Sequence, residues 1–190
     1  MFKPTKEELL QTLYNRFPTC TSLHIESSDA TKIVYGEGNP HSPVLLLGEA
    51  PGQKEDELGR PFVGRSGQLL TTTLDQLGIN RKDVFITNVV KCRPPNNRTP
   101  TPVEIALYKK LLLLPELNII KPKLIITLGS VAINALLDGQ AQPIGKIRGK
   151  ALDLNDIVIV PTYHPAYILR NPADLTKFRH DIQFALTLLK

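Results

Sequence analysis

The sequence predicts an α/β protein in which a parallel sheet is covered by helices on both faces. Three observations predict it. Four short apolar runs, at 44–47, 84–90, 124–128 and 157–160, read as buried strands. Helical patterns alternate with these runs, as a parallel sheet requires of its crossovers. Several runs break at their carboxyl ends into loops rich in Gly, Pro or Asn, and such ends are where an open α/β sheet holds its ligand. No internal repeat or linker divides the 190 residues, so 1–190 are expected to form one domain with one sizeable core.

Each element has a local reason. Residues 3–18 predict a helix: Thr5 can cap it, Glu7 and Glu8 suit its first turn, Leu9, Leu10, Leu13 and Tyr14 make a stripe, and Pro18 ends it. Residues 33–35 predict a short strand. The run 44–47 stops at Gly48-Glu49-Ala50-Pro51-Gly52, after which a polar loop leads through Gly59-Arg60-Pro61-Phe62-Val63-Gly64 to a helix over 66–77 closed by Gly78. The strand at 84–90 runs into a loop at 91–102 whose four prolines forbid regular structure. Thr101-Pro102-Val103-Glu104 predicts a capping box opening a helix that Pro115 interrupts. After the strand at 124–128, Ser130 is expected to cap a helix over 131–137 that Asp138-Gly139 closes. The last strand runs into Pro161-Thr162-Tyr163-His164-Pro165, and Asp174 begins a final amphipathic helix.

Composition excludes several classes. An apolar content of 42% with no long apolar run argues against a membrane protein. The amino-terminal residues lack the apolar core of a secretion signal, so a cytoplasmic location is expected. A net charge of +5 favours an anionic partner only mildly. Placement says more: Lys91, Arg93 and Arg98 crowd one loop, and Arg60, Arg65, Lys146, Arg148, Lys150 and Arg170 adjoin turns, a set suited to tracking phosphates. Cys20 and Cys92 form no C-x-x-C pair, and in a cytosolic chain each is expected to be a buried reduced thiol, not half of a disulfide.

In a parallel sheet the carboxyl ends share one edge, so Glu49, Asn88 and His164 are expected in one crevice. A carboxamide such as Asn88 sets a donor beside an acceptor, matching an amide-like base edge such as O4 and N3–H of uracil. His164 suits stabilisation of an oxygen on which negative charge develops. Phe62 suits stacking on a flat base. For Phe62, Asn88 and His164 alike, core packing or loop anchoring is the competing structural role.

Gly48-Glu49-Ala50-Pro51-Gly52, Gly59-Arg60-Pro61-Phe62-Val63-Gly64, Ile86-Thr87-Asn88-Val89-Val90-Lys91-Cys92-Arg93-Pro94-Pro95 and Tyr163-His164-Pro165-Ala166 resemble, in order and spacing, the blocks of family 4 uracil-DNA glycosylases. The resemblance covers roughly residues 5–190. It implies a three-layer αβα sandwich with a central four-stranded, mostly parallel sheet, and hydrolysis of the N-glycosidic bond of deoxyuridine in DNA. It implies that Gly48 and Glu49 line the uracil pocket, Phe62 stacks on the base, Asn88 reads its edge and His164 steadies the departing anion at O2. Glu49 and Glu55 become candidates for placing water or stabilising the sugar cation. In relatives outside family 4 a water-positioning aspartate falls at Ala50, so leaving-group stabilisation is expected to carry much of the rate. Arg60, Lys91, Arg93, Arg98, Tyr167, Leu169 and Arg170 become candidate DNA contacts, with 166–170 resembling a loop that enters the duplex. Single- or double-stranded uracil-containing DNA is the expected partner, and a monomer is expected.

The chain departs from that family at its iron–sulfur ligands. Where the family carries four cysteines, this chain has Cys20, Leu23, Cys92 and Tyr108. A cluster normally takes four thiolates, so none is expected, with Leu23 and Tyr108 filling the space by apolar packing and the two thiols lying near each other. The competing functions are a non-catalytic DNA- or uracil-binding accessory protein, and a nucleotide-binding or hydrolytic enzyme on a similar sheet. The second lacks a G-x-G-x-x-G, a P-loop or a metal-ligand cluster.

Overall fold

A computed structural model describes residues 3–23, 30–138, 140 and 143–189, the side chains of 22 and 23 excepted. The elements follow in order: α1 (Lys6–Asn15), β1 (Glu37–Gly38), β2 (Val44–Gly48), α2 (Gln53–Leu58), α3 (Arg65–Gln76), β3 (Phe85–Asn88), α4 (Pro102–Tyr108), α5 (Leu114–Ile120), β4 (Leu124–Leu128), α6 (Ser130–Leu136), α7 (Ile144–Ile147), β5 (Leu152–Leu154), β6 (Ile157–Thr162), α8 (Pro165–Arg170) and α9 (Leu175–Thr187). The sheet order is β1-β3-β2-β4-β6-β5. The four expected strands form its parallel centre, and the short antiparallel β1 and β5 extend it to six at the edges. The strand expected at 33–35 falls instead at 37–38, because Val34 hands its backbone N–H to Lys91 beyond the end of β3.

The alternation along each strand explains the three layers. Leu45, Leu47, Phe85, Ile125 and Ile159 pack under α1, α5 and α6. Leu46, Ile86, Leu124, Ile126, Leu128 and Val160 pack under α3, α8 and α9. A strand buried on both faces has no polar alternation to show, which is why these runs read as continuous hydrophobic stretches. No helix is long and apolar enough to cross a membrane among the described residues.

Local chemistry sets the helix ends. Thr5 with Glu8, and Thr101 with Glu104, form reciprocal capping boxes. Gly78 takes the left-handed turn that closes α3. Ser130 is the first residue of α6 and Gly129 is its cap: at φ +92° the position favours glycine, and a Cβ there would press on the Cβ of His164 at 3.1 Å. Pro115 does not interrupt the helix. A π-helical stretch at Lys109–Leu113 joins α4 to α5 and absorbs the proline, whose ring and missing N–H a regular α-helical turn would not accommodate. Gly139 and the packing of Leu23 lie outside the described residues.

The expectation of two reduced thiols is corrected. Cys20 and Cys92 form a disulfide that spans 72 residues of sequence, with Cα atoms 5.9 Å apart. The two residues lie near each other as expected, but at bridging range they are bonded and not reduced. Tyr108 is fully buried beside this bridge, and its hydroxyl faces the Cys92 backbone without forming a hydrogen bond of normal geometry.

Candidate active site

β2 has β3 on one side and β4 on the other, so the chain order reverses beside it. At such a switch point the carboxyl ends of the strands splay and leave a crevice. The crevice here is a cavity of about 430 Å³. The segment after β2, Asn88 at the end of β3 and His164 just past β6 all line it. Glu49, Asn88 and His164 are thus brought together as the topology requires.

Gly48 is the floor. A Cβ at this position would collide with Asn88 Oδ1 and with the Phe62 ring, so only glycine lets the carboxamide and the ring meet over the strand end. Asn88 is 2% exposed, and its Oδ1 is buried without a hydrogen-bond partner among the described residues. An unpaired buried acceptor costs about 1–3 kcal/mol, and this one lines the cavity, where a ligand can satisfy it, unlike the buried, unpaired hydroxyls of Tyr108 and Thr127.

Phe62 is held against its own preference. Its φ is 52°, a left-handed conformation that costs a bulky residue on the order of 1–3 kcal/mol. Three contacts fix it there. Arg81 donates to the carbonyls of Pro61 and Phe62, the latter at 3.0 Å, while also pairing with Glu37. Glu55 Oε1 accepts from Val63 N at 2.9 Å and Gly64 N at 2.8 Å. Gly67 on α3 leaves room for the Phe62 backbone, which a Cβ would strike. The Phe62 and His164 rings lie 5.9 Å apart, tilted by 35°.

His164 doubles as the cap of α8. Its Nδ1 accepts from Ala166 N at 3.1 Å, so the neutral ring carries its proton on Nε2. Burial, and then the charge of Arg170, push its pKa down to about 4. The imidazole is therefore neutral at physiological pH and offers a donor. The two acids divide. Glu55 is engaged with the loop backbone, whereas the Glu49 carboxylate has no hydrogen bond among the described residues, and burial raises its pKa.

The candidate DNA contacts also divide. Lys91 is corrected: it is fully buried and ion-paired with Glu116 at 2.6 Å, so it cannot meet phosphate. Desolvation pulls its ammonium below the usual value, opposed by the Glu116 charge. Its place in a proline- and asparagine-rich loop signalled exposure, yet the loop folds it inward. Arg60 is exposed but bound to Glu37 and lies outside the cavity lining. Arg93 donates to Asn97 at 2.7 Å. Arg98 lines the cavity mouth with both guanidinium nitrogens on Glu104 at 2.7 Å, an arrangement that holds the Glu104 pKa at about 2. Arg148 is committed to Asp181 and to the face of Tyr163. Tyr167 stacks on Tyr163 and donates to Asp174 at 2.9 Å. The segment 166–170 is a helix, not a loop, because His164 caps it and Pro165 occupies its first position. It leaves Leu169 exposed and sets Arg170 at the cavity mouth with no ion-pair partner among the described residues.

Sequence reasoning passed over Ser66, Pro94, Asn97 and Thr99, which also line the cavity. Asn96 and Asn97 carried a usable signal, since both adopt the left-handed conformation that asparagine tolerates best. Among the described residues no group of three or more His, Cys, Asp or Glu is placed to hold a metal ion.

The sequence pattern of the uracil DNA glycosylase superfamily matches residues 35–188. The chain is 44% identical over 191 aligned residues to a type-4 uracil-DNA glycosylase of Thermotoga maritima, covering 98% of this chain and 97% of that protein. It is 43% identical to one from Pyrobaculum aerophilum, over 91% of each chain. A third, from Saccharolobus solfataricus, is 47% identical over 73% of this chain and 68% of its own.

Proposed function

The chain belongs to the uracil DNA glycosylase superfamily and releases uracil from DNA by hydrolysing the N-glycosyl bond, a DNA-repair reaction; we propose that it does so with Asn88, His164, Phe62 and Glu49 in distinct roles. The observation that carries this reading is the buried, unpartnered Oδ1 of Asn88 on the floor of the cavity. Uracil presents N3–H and O4 side by side. Oδ1 accepts from N3–H and the carboxamide nitrogen donates to O4. Cytosine has no N3–H and carries an amino group in place of O4, so it leaves the same groups unpaired. Phe62 stacks on the base once the nucleotide has rotated out of the helix or has arrived from a single strand.

The bond between C1′ and N1 breaks with the electron pair leaving on uracil, where it spreads to O2. His164 Nε2–H donates to that oxygen. A neutral imidazole stabilises the anion by hydrogen bonding without transferring its proton. The sugar becomes oxocarbenium-like, and the unpaired Glu49 carboxylate is suited to stabilising it and to orienting the water that adds to C1′. Glu55 acts through Phe62, by pinning the loop that carries it. Arg170 and Arg98 at the mouth suit the phosphates beside the target, and the exposed Leu169 suits insertion where the base has left.

We also propose that the chemistry proceeds without an iron–sulfur cluster. The donor set does not fit one: residues 23 and 108 carry no sulfur, and the two cysteines are joined to each other. Action as a monomer in the cytoplasm is part of the same proposal. The test is His164→Ala. Uracil release should fall by roughly 100- to 1000-fold while binding to undamaged DNA is kept. A variant as active as the wild type would remove His164 from the chemistry.

A further inference from the structure

Asn88 reads uracil only if its backbone is fixed, and its outer side lacks the usual means. Strand β1 pairs with β3 only at Phe85 and Ile86, so on that side the sheet stops short of Asn88. The inner side is stitched: Val89 N donates to Gly48 O and Val90 N to Glu49 O, both at 3.0 Å. The Asn88 carbonyl is instead bound by a side chain. Lys91 folds back and places Nζ 2.7 Å from Asn88 O, 2.5 Å from Thr87 Oγ1 and 2.6 Å from Glu116 Oε2. An ammonium has three protons, and all three are used.

Glu116 is equally committed. It accepts from Thr87 Oγ1 at 3.1 Å and, through its other oxygen, from Tyr14 on α1 at 2.6 Å. Lys91 and Glu116 are both fully buried. A buried ion pair is a poor means of stabilising a fold, since apolar residues of the same size often do as well. What it supplies is direction, and here the direction is the backbone of the base-reading residue. We propose that Lys91, held by Glu116, is a positioning residue that fixes Asn88 so that its carboxamide meets the uracil edge. This rests on the assignment of Asn88 above.

The test uses Lys91→Met, which leaves the buried Glu116 without its counter-charge, and the double variant Lys91→Met/Glu116→Gln, which removes both charges together. The double variant should keep a thermal midpoint near that of the wild type and bind undamaged DNA equally well. Its kcat for uracil release should fall roughly 10- to 100-fold, the scale expected when a reacting group is slightly misplaced. Its inhibition constant for free uracil should rise in parallel, because that ligand reports the Asn88 contacts without chemistry. A stable double variant with wild-type kcat and uracil inhibition would overturn the proposal. So would parallel losses of kcat, DNA binding and thermal midpoint, which would mark a purely structural pair. Asn88→Ala separates the two readings: if it retains uracil release, the assignment of Asn88 fails, whereas an inactive Asn88→Ala beside a fully active double variant sinks only the role of Lys91.

Discussion

At the residue scale the site separates two ionisations that a single pocket would otherwise confuse. His164 is neutral because its ring is buried near Arg170 and its Nδ1 already accepts from Ala166. Its protonation, with a pKa of about 4, would remove the capping acceptor and disturb the Nε2 donor only in strong acid. Glu49 is half-buried with no hydrogen bond among the described residues, and the partial desolvation raises its pKa above the ordinary carboxylate value of 4.5. As pH falls, Glu49 therefore gains its proton before His164 does. The acid limb of kcat/KM should lie above pH 4.5 and belong to Glu49, and Glu49→Gln, though slower, should lose that limb. A limb that stays in place in Glu49→Gln would assign it to another group. These residues were legible in the sequence because each sits where a strand ends. The Lys91–Glu116 pair was not: its members are 25 residues apart, on different elements, and a lysine among prolines and asparagines reads as solvated.

At the scale of elements, the ends of β2 and β3 and the 60–64 loop act together. Gly48 allows Asn88 and Phe62 to approach, and Arg81, Glu55 and Gly67 hold Phe62 in a left-handed turn that no sequence pattern announces for a phenylalanine. Gly48→Ala should therefore abolish uracil release and inhibition by free uracil while leaving DNA binding intact. Unchanged inhibition by uracil would mean that the pocket floor lies elsewhere. The strands were readable because runs buried on both faces are continuously apolar, and the capping boxes because Thr and Glu recur at the required spacing. The helix through Pro115 was not, because proline is read as a breaker and its accommodation by a π-helical turn depends on packing that sequence does not display.

At the scale of the whole molecule, a disulfide fastens the start of the 92–102 loop to the segment that follows α1. Closing a loop that spans 72 residues removes unfolded-state freedom worth about 4 kcal/mol in the chain-entropy account. Cys20→Ser/Cys92→Ser should thus unfold at lower denaturant concentration yet keep its kcat at room temperature, since neither sulfur lines the cavity. A large loss of kcat with unchanged stability would tie the bridge to the site instead. The covered parallel sheet was legible from alternation alone, and the nearness of Cys20 and Cys92 from the ligand positions of the family they resemble, whereas the bond between them was not, because the redox compartment favoured reduced thiols. The central claim is that a cluster-free pocket built around Asn88 releases uracil. The most direct measurement is uracil release from a uracil-containing oligonucleotide in the presence of chelator, comparing the wild type with Asn88→Ala. Release by a colourless, iron-free wild type, and its loss in a variant that still binds DNA, is the expected result. Equal release by both proteins, or release only from a brown, iron-loaded preparation, would contradict the account.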